Sequence, residues 1–151
     1  HKSFLDTLKH NISTLELDPK LIEFEITEGV LMMGKSYIDE ALNELREIGV
    51  KLSMDDFGTG YSSLSYLRHY AFDVIKIDQT FVKGLPHNKA DCDLVKATIA
   101  MANSLGLSVV AEGIETLQQL TALEKFSCDF AQGFYFSEPL SECDLLAFDK
   151  F

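Results

Sequence analysis

Short apolar runs rich in Ile, Val and Phe recur five times along this chain, at residues 21–26, 50–54, 73–77, 108–111 and, less regularly, 130–136. A longer stretch of helical period follows each run. Such alternation restricts the fold to parallel strands joined by right-handed helical crossovers, because a parallel neighbour is reached only by crossing back over the sheet. In folds of this kind, barrel or open sheet, the carboxyl ends of the strands form the functional rim. Each run here ends in polar chemistry: Glu25 and Glu28, Asp55 and Asp56, Lys76 and Asp78, Glu112 and Glu115, and Gln132. The two-residue period of a strand puts Val74, Lys76 and Asp78 on one face and Ile75 and Ile77 on the other, and groups Glu112 with Val110. One face is therefore apolar, and the other carries ionisable groups near its top.

The helical stretches carry their own punctuation. Residues 4–17 read as a helix with Phe4, Leu5, Leu8 and Ile12 on one side. Ile38, Leu42, Leu45 and Ile48 mark a second, with Ser36 and Asp39 as a capping box and Gly49 as its left-handed close. Leu94, Val95, Ile99 and Ala102 mark a third that Gly106 ends. Thr116 caps a fourth carrying Leu117, Leu120 and Leu123, and Ser141 with Asp144 boxes a fifth through Leu145, Leu146 and Phe148. Glu112 and Gln132 stand 20 residues apart and Asp78 and Glu112 stand 34 apart, the length of βα units. An eight-unit barrel needs about 250 residues, so 151 residues hold five or six units of a single domain. The chain is then either an open doubly wound sheet or a barrel without its first quarter to third. A first helix with no strand before it favours a chain that begins mid-unit.

Bulk properties exclude several classes. A net charge of −11 and the absence of clustered Lys and Arg argue against a nucleic-acid polymer as partner. No run of 18 apolar residues is present to span a membrane, and the N-terminus lacks a secretory pattern, so a cytoplasmic domain without membrane contact is expected. Cys92, Cys128 and Cys143 lack metal or redox spacing and read as reduced thiols. His1, His10, His69 and His87 show no ligand spacing either.

The sharpest local signal is DDFGTGYSSLSYL at residues 55–67. Two adjacent acids at the end of a buried strand repel each other and are costly to desolvate. A divalent cation removes that objection; a solvated acidic turn is the plainer alternative, and the acids at neighbouring strand ends argue against it.

EITE at 25–28, DDFGTGYSSL at 55–64, KID at 76–78, EGIET at 112–116 and QGF at 132–134 together resemble the C-terminal three-fifths of an EAL domain. That family comprises bacterial phosphodiesterases that linearise cyclic di-GMP. The resemblance implies a TIM-like (β/α)8 barrel binding two Mg²⁺ or Mn²⁺ ions at its strand ends. It implies Glu25 as a ligand of the first metal, Asp55 as the bridge, and Asp56 and Glu112 as ligands of the second. Lys76 and Glu112 would be catalytic, with Lys76 hydrogen-bonded to the attacking water. Gln132 and Asp78 would face the substrate, and Glu28 and Glu115 would support the loop at 57–64. Two metals about 3.5–4 Å apart supply a hydroxide and neutralise phosphoryl charge, and hard oxygen ligands suit Mg²⁺ or Mn²⁺. Beside such cations Lys76 is expected to have a depressed pKa, suiting it to accept a proton.

Other readings of the same residues exist. Glu28 and Glu115 could cap helices, and Lys76 could pair with Asp78. The aromatic residues at 134–136 suit barrel packing better than base stacking. The family's Glu-Ala-Leu strand and the Asn of its second strand have no counterpart and would lie before His1. The expectation is a fragment of a longer protein, inactive alone, that self-associates as a homodimer to cover open strand edges. The competing functional class is a non-catalytic module that binds cyclic di-GMP for regulation or dimerisation.

Overall fold

The computed structural model describes residues 2–33, 36–59 and 63–148. Its strands are Glu23–Thr27 (β1), Lys51–Phe57 (β2), Val74–Ile77 (β3), Ser108–Ala111 (β4) and Phe130–Ala131 (β5). The described helices are Lys2–Thr14 (α1), Glu28–Met32 (α2), Ser36–Ile48 (α3), Ser63–His69 (α4), Gln79–Val82 (α5), Lys89–Leu105 (α6), Leu117–Lys125 (α7) and Glu142–Leu146 (α8).

All strands pair in parallel, in the order β1-β2-β3-β4-β5. A doubly wound sheet reverses its strand order at a switch point. Here every strand lies beside its neighbour in sequence, so right-handed crossovers lay the connecting helices on one face. This is the winding of a barrel wall, and it decides between the two architectures that the sequence left open.

Strand register sorts the side chains. Ile26, Met54, Ile75 and Val109 form one row across the sheet, and Ile77 pairs with Ala111 above it. On this face Leu52, Met54, Ile75, Val109 and Ala111 are fully buried. They share one core with Ile38, Leu42 and Leu45 of α3 and with Val95, Ile99 and Ala102 of α6. Burying each large aliphatic side chain contributes about 1.5–3 kcal/mol. The opposite face presents Glu25, Ser53, Asp55 and Lys76, the ionisable surface that strand periodicity predicts.

Several boundaries differ from those the sequence suggests. β1 starts at Glu23 because Pro19 opens a 3-10 turn over Pro19–Leu21, in which Asp18 accepts a hydrogen bond from the Lys20 amide at 3.0 Å. Leu21 is left 83% exposed. The first helix stops at Thr14, just before Glu16 takes a left-handed φ of 51°. In α6, Leu94 lies outside the buried stripe and Thr98 lies inside it. β5 is only two residues long; past Gln132 the chain leaves the sheet and the Tyr135 amide donates to the Ile114 carbonyl at 2.8 Å.

Gly49 and Gly106 do close their helices with φ of 92° and 73°. Thr116 and Gln119 form a complete capping box on α7, and Ser141 accepts from the Asp144 amide at the start of α8. The Ser36 side chain of the expected α3 box lies outside the described residues; Asp39 accepts a hydrogen bond from the Tyr70 hydroxyl. All three cysteines are free thiols. Among the described residues no helix is long and apolar enough to cross a membrane.

Candidate functional site

On a regular strand Asp55 and Asp56 would point to opposite faces. The β2–β3 register slips between Met54 and Phe57, and Asp56 adopts a left-handed φ of 56°. Aspartate tolerates that conformation better than most residues, and a bulge of this kind re-aims the side chains around it. Thr59 holds the corner: its amide donates to the Asp56 carbonyl at 3.2 Å and its hydroxyl donates to the same oxygen at 2.9 Å. The bulge thus brings two consecutive acids to one rim.

Lys76 stands at the centre of that rim, 5% exposed. Its Nζ donates to Glu25 Oε1 at 2.5 Å, lies 2.7 Å from Glu112 Oε1, and lies 3.7 Å from Asp55 Oδ1. Acids from β1, β2 and the end of β4 therefore converge on one ammonium from β3. The alternative reading, a Lys76–Asp78 pair, is not the one the structure adopts. Asp78 caps α5 instead, accepting from the Thr80 amide at 2.9 Å and the Thr80 hydroxyl at 2.6 Å.

The depressed Lys76 pKa expected beside two cations concerns the metal-loaded site; the chain's own groups act in the other direction. Burial pulls the Lys76 pKa down, but hydrogen bonds to Glu112 and Glu25, with the charges of Glu112 and Asp55, outweigh it and hold the ammonium above its ordinary range. With those carboxylates alone around it, Lys76 is an ammonium that donates hydrogen bonds. Asp56 is raised, first by desolvation and then by the negative charges of Asp55 and Asp78, with Lys76 opposing.

A cavity of about 310 Å³ opens beside this cluster, lined by Asp56, Asp78, Glu112, Glu115 and Gln132 together with Gln79. Glu112 borders the cavity and also touches Lys76. Glu28 does not line it; it is buried in the first turn of α2. Gln79 was not singled out in the sequence, although its place one residue beyond the KID run is the signal that could have found it. Phe134 also lines the cavity and is 66% exposed, so the packing role expected for residues 134–136 holds for Phe136, which lies against the core.

The donor set suits a hard cation. Asp55 Oδ1 is buried without a hydrogen-bond partner, an expensive state for a carboxylate oxygen that a cation would relieve. Three acids also outnumber the one lysine among them. Among the described residues no group of three acidic, His or Cys side chains is already gathered around a common ion position; Lys76 holds the middle of the cluster.

The chain is thus a barrel-wound α/β domain with a carboxylate rim around a buried lysine at its strand ends. The chain belongs to the EAL domain family, which it matches over residues 1–139. It is 45% identical over 138 residues to a Pseudomonas aeruginosa protein named cyclic di-GMP phosphodiesterase NbdA, covering 91% of this chain and 18% of that relative. The EAL enzyme Bd1971, in a form bound to cAMP and cyclic di-GMP, superposes with a TM-score of 0.91 at 33% identity, covering 97% of this chain and 39% of that one. The Klebsiella pneumoniae BlrP1 manganese and cyclic di-GMP complex superposes with a TM-score of 0.86 at 33% identity, covering 92% and 36%. The chain spans well under two thirds of the length of the curated relatives it matches.

Proposed function

We propose that this rim serves a metal-dependent phosphodiesterase that hydrolyses cyclic di-GMP to linear pGpG, the reaction of a whole EAL domain of which this chain spans the EITE to QGF motifs. The observation that carries the reading is the convergence of Glu25, Asp55 and Glu112 on Lys76, with Asp55 Oδ1 left unsatisfied. The names of NbdA and of the BlrP1 manganese complex support it.

Glu25, Asp55, Asp56 and Glu112 would hold two Mg²⁺ or Mn²⁺ ions. Such ions, when bound, generate a hydroxide at neutral pH and neutralise charge on phosphoryl oxygens. Lys76, held as an ammonium, donates hydrogen bonds that orient the attacking water and stabilise phosphoryl charge. Glu112 touches both Lys76 and the cavity, and from there it receives the water's proton. Asp78 and Gln132 line the cavity and contact the dinucleotide. Glu28 and Glu115 support the loop at 57–64, of which residues 60–62 lie outside the described residues. Among the described residues β1 and β5 are each paired on one side, and such edges favour self-association as a homodimer. A nucleotide messenger and three free thiols suit a cytoplasmic setting.

Asp55→Asn, made in a whole EAL domain that contains this chain, tests the assignment. The expected outcome is loss of Mn²⁺ binding by calorimetry and loss of pGpG by chromatography, with an unchanged circular dichroism spectrum. Unaltered Mn²⁺ affinity would overturn the metal assignment. Cyclic di-GMP binding by the unsubstituted whole domain without any product would favour the binding-module reading.

A further inference from the structure

Asp56 and Gly58 both have positive φ, at 56° and 96°, so the chain reverses its hand twice within three residues. Regular pairing to β3 has ended by this point, with Phe57 opposite Ile77 as the last matched pair. What lies against the corner is the ring of Phe81, carried on α5. A methyl group at Gly58 would lie 3.0 Å from Phe81 Cε2 and 3.3 Å from Cζ, so ring and backbone are in contact with no spare room. The helix that carries the ring is itself held in place. Val82 beside it is fully buried, and Asp78 caps the helix that carries both. The other side of α5 is equally tight, since a methyl group at Gly113, next to Glu112, would lie 2.4 Å from Gln79 Cβ. α5 is thus wedged between the loop that follows the acid pair and the loop that follows Glu112.

We infer that Phe81 is a positioning residue for the acid pair: its ring seats on Gly58 and holds the left-handed corner through which Asp55 and Asp56 reach one rim. The inference rests on the reading of these acids as metal ligands. Left-handed backbone at a non-glycine residue persists only where its surroundings enforce it. Thr59 enforces it from within the loop, and Phe81 enforces it from the neighbouring strand's helix. Removing the ring lets Asp56 relax to a right-handed conformation, which turns its carboxylate away from Asp55 and Glu112.

Phe81 also packs against the core, so a loss of thermal stability alone would mean only a packing role. The deciding experiment compares Phe81→Ala with Phe81→Leu, read by Mn²⁺ calorimetry and by hydrogen exchange of the Thr59 amide. Phe81→Ala should weaken Mn²⁺ binding roughly 10-fold or more, the usual effect of losing support behind a metal ligand, and should speed Thr59 exchange. Phe81→Leu, which keeps bulk against Gly58, should recover most of the affinity, and it carries the test should Phe81→Ala fail to fold. A lowered melting temperature with unchanged Mn²⁺ affinity and Thr59 exchange would overturn the inference. Should the unsubstituted protein bind no Mn²⁺, the metal reading fails by itself, and the Thr59 comparison still decides whether Phe81 holds the corner.

Discussion

Lys76 shows how much of a site can be read from a strand end and how much cannot. Its place beside the acids of neighbouring strands follows from the alternating pattern, and Glu25, Asp55 and Glu112 do meet it. The lowered pKa expected of it beside bound cations is separate from its state among the chain's own carboxylates, which hold it as an ammonium. Lys76→Met removes the one positive charge among them and leaves three acids, one half-exposed and two part-buried, repelling one another, so stability falls. Thermal melts should show that loss in chelator, and Mn²⁺ should restore part of it. Asp56 carries the opposite bias. Its folded pKa is raised, first by desolvation, so the folded state holds this proton more tightly than the unfolded chain does. The fold therefore loses stability as pH climbs from the ordinary value of 3.8 through the raised one. Asp56→Asn should abolish that part of the pH dependence and lift the melting temperature of the ion-free chain at neutral pH. The same substitution should weaken Mn²⁺ binding. A lower melting temperature at pH 7 in chelator would contradict the assigned strain.

Among the elements, the long periodic ones were the most legible. α3 and α6 follow their apolar stripes, and the glycines that close them were readable because only a left-handed residue ends a helix in that way. The bulge in β2 was hidden, since the apolar run ends at Met54 before the acid pair, whereas β2 continues to Phe57 with its register slipping in between. β5 was overread for a related reason: the aromatic pattern of residues 130–136 continues, whereas the sheet stops at Ala131. Close backbone approach ends it. A methyl group at Gly133 would lie 2.2 Å from both the amide nitrogen and the carbonyl oxygen of Ile114. Those groups also bond the Gln132 carbonyl and the Tyr135 amide, so backbone would have to move. Gly133→Ala should cost about 1–3 kcal/mol as an overpacked site, and it should displace Gln132 and Phe134 from the cavity. Denaturant titration would measure the first effect, and cyclic di-GMP affinity the second. A variant as stable as the parent would show that the two loops part more easily than their packing implies.

At the scale of the whole molecule, the sequence specifies strands and helices but not which strands are neighbours, so barrel winding and double winding share one local pattern until pairing is known. The sequential order has a functional consequence. It brings the acids of consecutive units to one rim, in a chain of net charge −11. Their mutual repulsion opposes folding, and an ion bound only by the folded rim should reverse part of it. For one site at a free ion concentration of 100 times Kd, linkage gives about 2.7 kcal/mol, or roughly 5–11 °C in melting temperature for a chain of this size. Simple screening also stabilises an acidic protein, so the comparison must be made at matched ionic strength with NaCl in place of MnCl₂. Mn²⁺ in excess of NaCl should raise the melting temperature of the unsubstituted chain, and the rise should vanish in Asp55→Asn, which keeps the fold but loses the orphaned oxygen. Equal Mn²⁺ shifts in the two proteins would mean that the ions act on the acidic surface as a whole, and that the rim does not gather them.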